Sequence, residues 1–125
     1  MNMQRRSDER SIALHKAIAK KLRNNPGLWE IPKNNMVKWK KKNGRLAPAF
    51  IEWQHILNTN PKEQILSILE SSSEESVRLR SSSPFTGILN ENERKRIFEF
   101  YKIRSLKNYK GKIDLDINLK IVRNR

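Results

Sequence analysis

Helix-breaking clusters cut the chain at short intervals, and they limit it to short helices. Asn24-Asn25-Pro26-Gly27, Asn43-Gly44, Asn60-Pro61 and Ser81-Ser82-Ser83-Pro84 each join residues that favour turns to a proline or a glycine. Proline disfavours the α conformation at the residue before it, and glycine is at home where a helix stops.

Between the breaks, apolar residues recur at helical spacing. Ser7 with Asp8 and Glu9 reads as a start signal, and Ala13, Leu14, Ala17, Ile18 and Leu22 mark a helix over 8–23. A short turn holding Leu28, Trp29 and Ile31 precedes a helix over 33–42, with Pro32 between them and Met36, Val37 and Trp39 on its apolar side. Pro48 suits a first helical position, and Phe50, Ile51, Trp53, Ile56 and Leu57 form a broad apolar surface after it. Asn60, Pro61 and Glu63 predict a cap, a first-position proline and a reciprocal capping box ahead of Ile65, Leu66, Ile68 and Leu69. Ser73 with Glu74 and Glu75 predicts a brief capped helix through Val77 and Leu79. Phe85, Ile88 and Leu89 tuck the chain back onto the core. Asn90 and Glu93 then start a last helix, with Ile97, Phe98, Phe100 and Tyr101 spaced for burial, that ends near Ser105 or Leu106.

The expectation is an all-α fold, a compact bundle of five or six short helices over 1–106. It is followed by a basic C-terminal tail, 107–125, after a break at Tyr109-Lys110-Gly111. In that tail Ile113, Leu115, Ile117, Leu119 and Ile121 alternate with Asp114, Asp116, Asn118 and Lys120, which predicts an extended β-strand over 112–122. Such a strand spans roughly 30 Å at about 3.3 Å per residue, and an isolated strand leaves its backbone groups unpaired. The aliphatic row therefore predicts strand addition to a protein partner, pairing with a second copy, or folding back on its own helices. Pro84 and Phe85 join the row as candidate partner-contact residues.

Charge is uneven as well as large. The total of +14 divides into a net +10 over 1–45, −4 over 46–93 and +8 over 94–125. Two basic ends suit phosphate backbones or an acidic protein. Lys38, Lys40, Lys41 and Lys42, followed by Arg45, gather cations at a helix end, where they also suit the helix dipole. Arg94, Lys95 and Arg96 lie near a helix start, where the dipole disfavours cations, so an anionic partner would account for them. These eight residues are the candidate nucleic-acid contacts, whether to DNA or RNA. Trp29, Trp39 and Trp53 sit at helical spacing among apolar residues and read as core rather than as stacking platforms.

Catalytic signals are sparse. There is no cysteine, and His15 and His55 are the only histidines. Glu52 and His55 could share a helical face through a hydrogen bond, but no second Glu-His pair accompanies them as a carboxylate-bridged metal site would need. Phosphate-cradling loops, nucleophile motifs and zinc spacings are missing. The expectation is a non-enzymatic protein without cofactor or metal. No apolar run approaches the length of a membrane span or a secretory leader, which predicts a cytoplasmic protein.

One further pattern bears on partners. The stretch 10–22, then Trp39, then Arg78 to Leu89 with Ser83-Pro84-Phe85-Thr86-Gly87-Ile88-Leu89 at its centre, and Glu93-Arg94, resembles a group of small bacterial proteins associated with toxin-antitoxin operons. The resemblance implies an antitoxin-like protein that restrains a co-encoded toxin. Pro32 and the long tail depart from the pattern, and the basic charge would suit an acidic toxin or operator DNA. Nucleic-acid binding by a basic regulatory protein is the alternative expectation.

Overall fold

The computed structural model describes the backbone of residues 3–110 and the side chains of residues 8–100. Among the described residues there are six α-helices and one 3-10 turn: α1 (Met3–Asn24), the turn Pro26–Trp29, α2 (Glu30–Asn43), α3 (Pro48–Thr59), α4 (Lys62–Glu70), α5 (Glu74–Arg80) and α6 (Glu91–Lys110). The described residues divide into two units, the first ending at Asn90 and the second beginning at Glu91.

In the first unit α1 packs against α4 and α5, α4 also touches α3, and α3 touches α2. The breakers act where local chemistry places them. Asn24-Asn25-Pro26 ends α1, and Gly44 terminates α2 with φ at +81°, a left-handed cap that costs a side chain dearly and glycine little. Pro48 opens α3 at its first position, where a missing N–H leaves no bond unmade. Ser73 caps α5, its hydroxyl accepting the Ser76 N–H at 3.2 Å.

The core gathers Ile18, Ala19 and Leu22 from α1, Met36 from α2, Trp53 from α3, and Ile65, Leu66 and Leu69 from α4. Leu79, Phe85, Ile88 and Leu89 complete it. Trp53 is its centre: the indole meets Phe85 edge-on at 5.3 Å and its N–H donates to the Leu79 carbonyl at 2.8 Å. The second role removes the penalty for burying an unpaired indole N–H.

Several expectations need correction. α1 begins at Met3, so Ser7 lies inside a helix rather than at its start. Pro32 does not interrupt α2, because it falls in the first turn, where backbone N–H groups have no intrahelical acceptor anyway. The capping box before α4 does not form. Pro61 holds the cap position without a side-chain bond, and the Asn60 amide instead donates to the Ile56 carbonyl at 3.1 Å, satisfying the end of α3. Glu52 does not turn to His55. It takes a bidentate pair from Arg78 of α5 at 2.7 and 3.0 Å, since a guanidinium offers two parallel donors and a full charge. Phe100 is not buried but 66% exposed.

The largest correction concerns the tail. The all-helical expectation holds, but no β-strand exists among the described residues. α6 continues through Tyr109 and Lys110, where the break was expected. Ile113, Leu115, Ile117, Leu119 and Ile121 lie outside the described residues. Period-two alternation supplies a face but no hydrogen-bonding neighbour, and no described element has a free strand edge to offer one. Over the described residues the fold is an all-α bundle with no strand, and strand pairing with a toxin or a dimer mate, one of the two supports of the antitoxin reading, has no footing among them.

Candidate nucleic-acid interface

α2 owes its two faces to the spacing of its residues. Pro32 and Met36 are buried, with Asn35 and Trp39 half-buried beside them, while Lys33, Val37, Lys38, Lys40, Lys41 and Lys42 are exposed. Trp39 closes the inner face against Phe50 of α3, ring centroids 4.8 Å apart. The outer face is left to the lysines, and Arg45 follows them just past the Gly44 cap, also exposed. Lys40, Lys41 and Lys42 sit in the last turn, at the negative end of the helix dipole, which helps to hold so many cations on 14 residues.

None of Lys33, Lys38, Lys40, Lys41, Lys42 and Arg45 has a carboxylate partner among the described residues. Several other cations of the first unit are engaged, though Lys16 and Lys20 on α1 form no ion pair among the described residues. Arg23 makes a bidentate pair with Glu70 at 2.6 and 2.8 Å, and Arg78 pairs with Glu52 and with Glu75. These contacts pull the Glu52 and Glu70 carboxyls below their ordinary range, through the hydrogen bond from the arginine first and its charge second. Lys21 donates to the Ile88 carbonyl at 2.8 Å. Arg80 is 4% exposed, and its guanidinium closes the C-terminal end of α4 by donating to the carbonyls of Ile68 at 3.0 Å and Ser71 at 2.5 Å. Burial lowers the Arg80 pKa, and its Nε is buried without a partner.

Lys38, Lys41 and Lys42 share one side of α2, whereas Lys40 stands about 160° around the axis from Lys38 and Lys42 and lines the α2–α3 corner together with Arg45. Lys33 is a further exposed cation, on the same side of α2 as Lys40 seven residues on, and Val37, expected on the apolar side, is instead 65% exposed between them. Arg94, Lys95 and Arg96 lie on α6, in the second unit, interleaved with Glu91, Glu93 and Glu99. Arg94 rests 5.7 Å from the Phe98 ring, and with Lys95 it lines a shallow surface pocket that Glu91 and Glu99 also line.

The tryptophans are not platforms for bases. Trp53 is wholly buried, Trp29 is buried with the Lys62 ammonium 5.8 Å over its ring, and Trp39 is turned to Phe50. Pro84 and Phe85 are also interior. Asn35 donates to the carbonyls of Pro84 at 2.9 Å and Thr86 at 2.7 Å, and the His15 ring holds Ser83 at 2.9 Å, so this loop is clamped from two sides. Neither ring is offered to a partner.

Among the described residues no cluster of histidines and carboxylates is arranged to hold a metal ion, and no helix is long and apolar enough to cross a membrane. No family model matches the chain, and comparisons with curated proteins and with solved structures find no match. The resemblance to toxin-antitoxin proteins therefore transfers no site residue to this structure.

Proposed function

We propose that this chain binds nucleic acid through the phosphate backbone, with the outer face of α2 and Arg45 as its contact surface. The observation that carries the reading is the set of exposed cations at Lys33, Lys38, Lys40, Lys41, Lys42 and Arg45 without carboxylate partners. Each cation that neutralises a phosphate releases a condensed counterion, and this entropy gain supplies affinity without reading sequence. A helix of 14 residues is about 21 Å long, enough to follow several consecutive phosphates. Arg94, Lys95 and Arg96 are not carried into this surface, because Glu91, Glu93 and Glu99 balance their charge locally.

The test is a fluorescence-anisotropy titration of the full chain with labelled oligonucleotides at two salt concentrations. Six phosphate contacts predict a loss of affinity on the order of 10³-fold between 50 and 200 mM salt. An affinity indifferent to salt, or no binding at the lower concentration, would refute the reading.

A further inference from the structure

Between α2 and α3 the chain turns on Gly44, a corner tied down by buried Leu46 and reopened as a helix at Pro48. The turn leaves a groove of about 510 Å³ beside the basic face, lined by Lys40, Arg45, Leu46, Pro48, Ile51 and Gln54. Its wall is mostly apolar. Ile51, part of the broad apolar surface expected of α3, is 52% exposed and lines this groove.

The residues fall into distinct chemical kinds. Pro48 and Ile51 offer an apolar surface to the face of a flat ring. Gln54 carries an amide that can both donate and accept, as the hydrogen-bonding edge of any base requires. Lys40 and Arg45 are cations with no carboxylate partner among the described residues, placed for a phosphate. An unpaired nucleotide presents all three features at once. In a duplex the base faces are stacked and the pairing edges are used, so only the phosphates remain for Lys40 and Arg45.

We propose that this groove seats one unpaired nucleotide, so that the protein prefers single-stranded nucleic acid to duplex. The inference rests on the phosphate-binding reading above and extends it from charge to substrate class. Charge complementarity selects the occupant among anions, and the apolar wall with Gln54 selects the nucleotide among anionic occupants. An acidic peptide or an anionic bilayer would engage Lys40 and Arg45 without needing the Gln54 amide.

Anisotropy titrations of the full chain against one labelled single strand and the duplex of the same sequence test this, with phosphatidylserine vesicles as a third probe. The wild-type chain should bind the single strand more tightly than the duplex. Ile51→Ser should reduce single-strand affinity about fivefold, which corresponds to the low end of what stacking a base on an aromatic ring contributes. Gln54→Ala, on an exposed helical position that threatens the fold less, should reduce it several-fold, and both changes should collapse the preference over duplex. If both strands bind with a steep salt dependence but neither substitution changes the preference, the groove assignment is wrong and the phosphate-binding reading stands. If neither strand binds, both fall. Vesicle binding that is weakened by Ile51→Ser, with strand binding unaffected, would reassign the groove to lipid and overturn the proposal.

Discussion

The Nε2 of His15 on α1 lies 2.9 Å from the hydroxyl oxygen of Ser83, 68 residues away in the chain. The other ring nitrogen is 2.7 Å from the Ser11 carbonyl, which can only accept, so Nδ1 carries the proton. Nε2 is then the acceptor and the Ser83 hydroxyl the donor, while the Ser83 oxygen takes the Phe85 N–H at 3.2 Å. This arrangement requires a neutral ring. Burial is the main cause that lowers the His15 pKa to about 4; the Ser11 carbonyl opposes it, and the Arg80 charge adds to the lowering.

Stability should therefore fall on mild acidification. Between the ordinary value of 6.5 and about 4, the unfolded chain takes up a proton that folded His15 refuses, so lowering the pH favours unfolding. The contribution is whole above about pH 6.5 and should shrink by about 3 kcal/mol by pH 4. Urea unfolding across this range measures it, and His15→Gln should flatten that part of the profile. An unchanged slope in the variant would assign the acid sensitivity to other groups.

Phe85→Ala should be among the most damaging substitutions. It empties the site against Trp53 and leaves a cavity in a buried region, for a loss of about 3–5 kcal/mol. Tryptophan fluorescence during urea unfolding reads the loss directly, since Trp53 is the ring that Phe85 touches.

Asn35→Ala should cost about 1–2 kcal/mol by leaving the Pro84 and Thr86 carbonyls without their shared donor. Hydrogen exchange at Phe85 and Ile88 should accelerate, while the amides of α4 keep their protection. Uniform acceleration across both would mean that the loop is not a separately clamped element.

Arg80→Met should destabilise the fold by about 2–3 kcal/mol, because the carbonyls at the end of α4 lose a buried charged donor. Arg78→Met, two residues away, should do far less, since its pairs with Glu52 and Glu75 are exposed and solvent competes for them. Thermal denaturation of the two variants side by side checks the ordering.

Neutralising Lys38, Lys41 and Lys42 together as glutamines should leave the melting temperature unchanged and lower the salt slope of nucleic-acid binding by about 3, roughly 0.9 for each lost phosphate contact. A slope that stays at the wild-type value would place the contacts elsewhere.

Much of the helical outline was readable one residue at a time. Gly44, Pro48 and Ser73 perform the roles that their own backbone chemistry assigns, because a left-handed cap, a first-position proline and a serine cap are local events. Asn60 shows the limit: the same amide can serve the helix before it or the helix after it, and only the path of the chain chooses. The cations of α2 were legible as a cluster. Whether they were spent on carboxylates was not, since that depends on which helices meet.

The sequence by itself determined where helices can begin and end, that they are short, and that positive charge gathers at Lys38 to Arg45. These follow from dihedral preference, capping and charge, which act over a few residues. Tertiary structure alone decided that Arg80 is buried while Arg78 is not, that His15 is neutral and bonded to Ser83, and that Ile51 stands half exposed beside Lys40 and Arg45. Those outcomes depend on desolvation and on partners far away in the chain, and burial is a property of the assembled neighbours rather than of the residue. Alternation alone determines less: a strand is defined by the neighbour it bonds to, and the described residues contain no strand to serve as one.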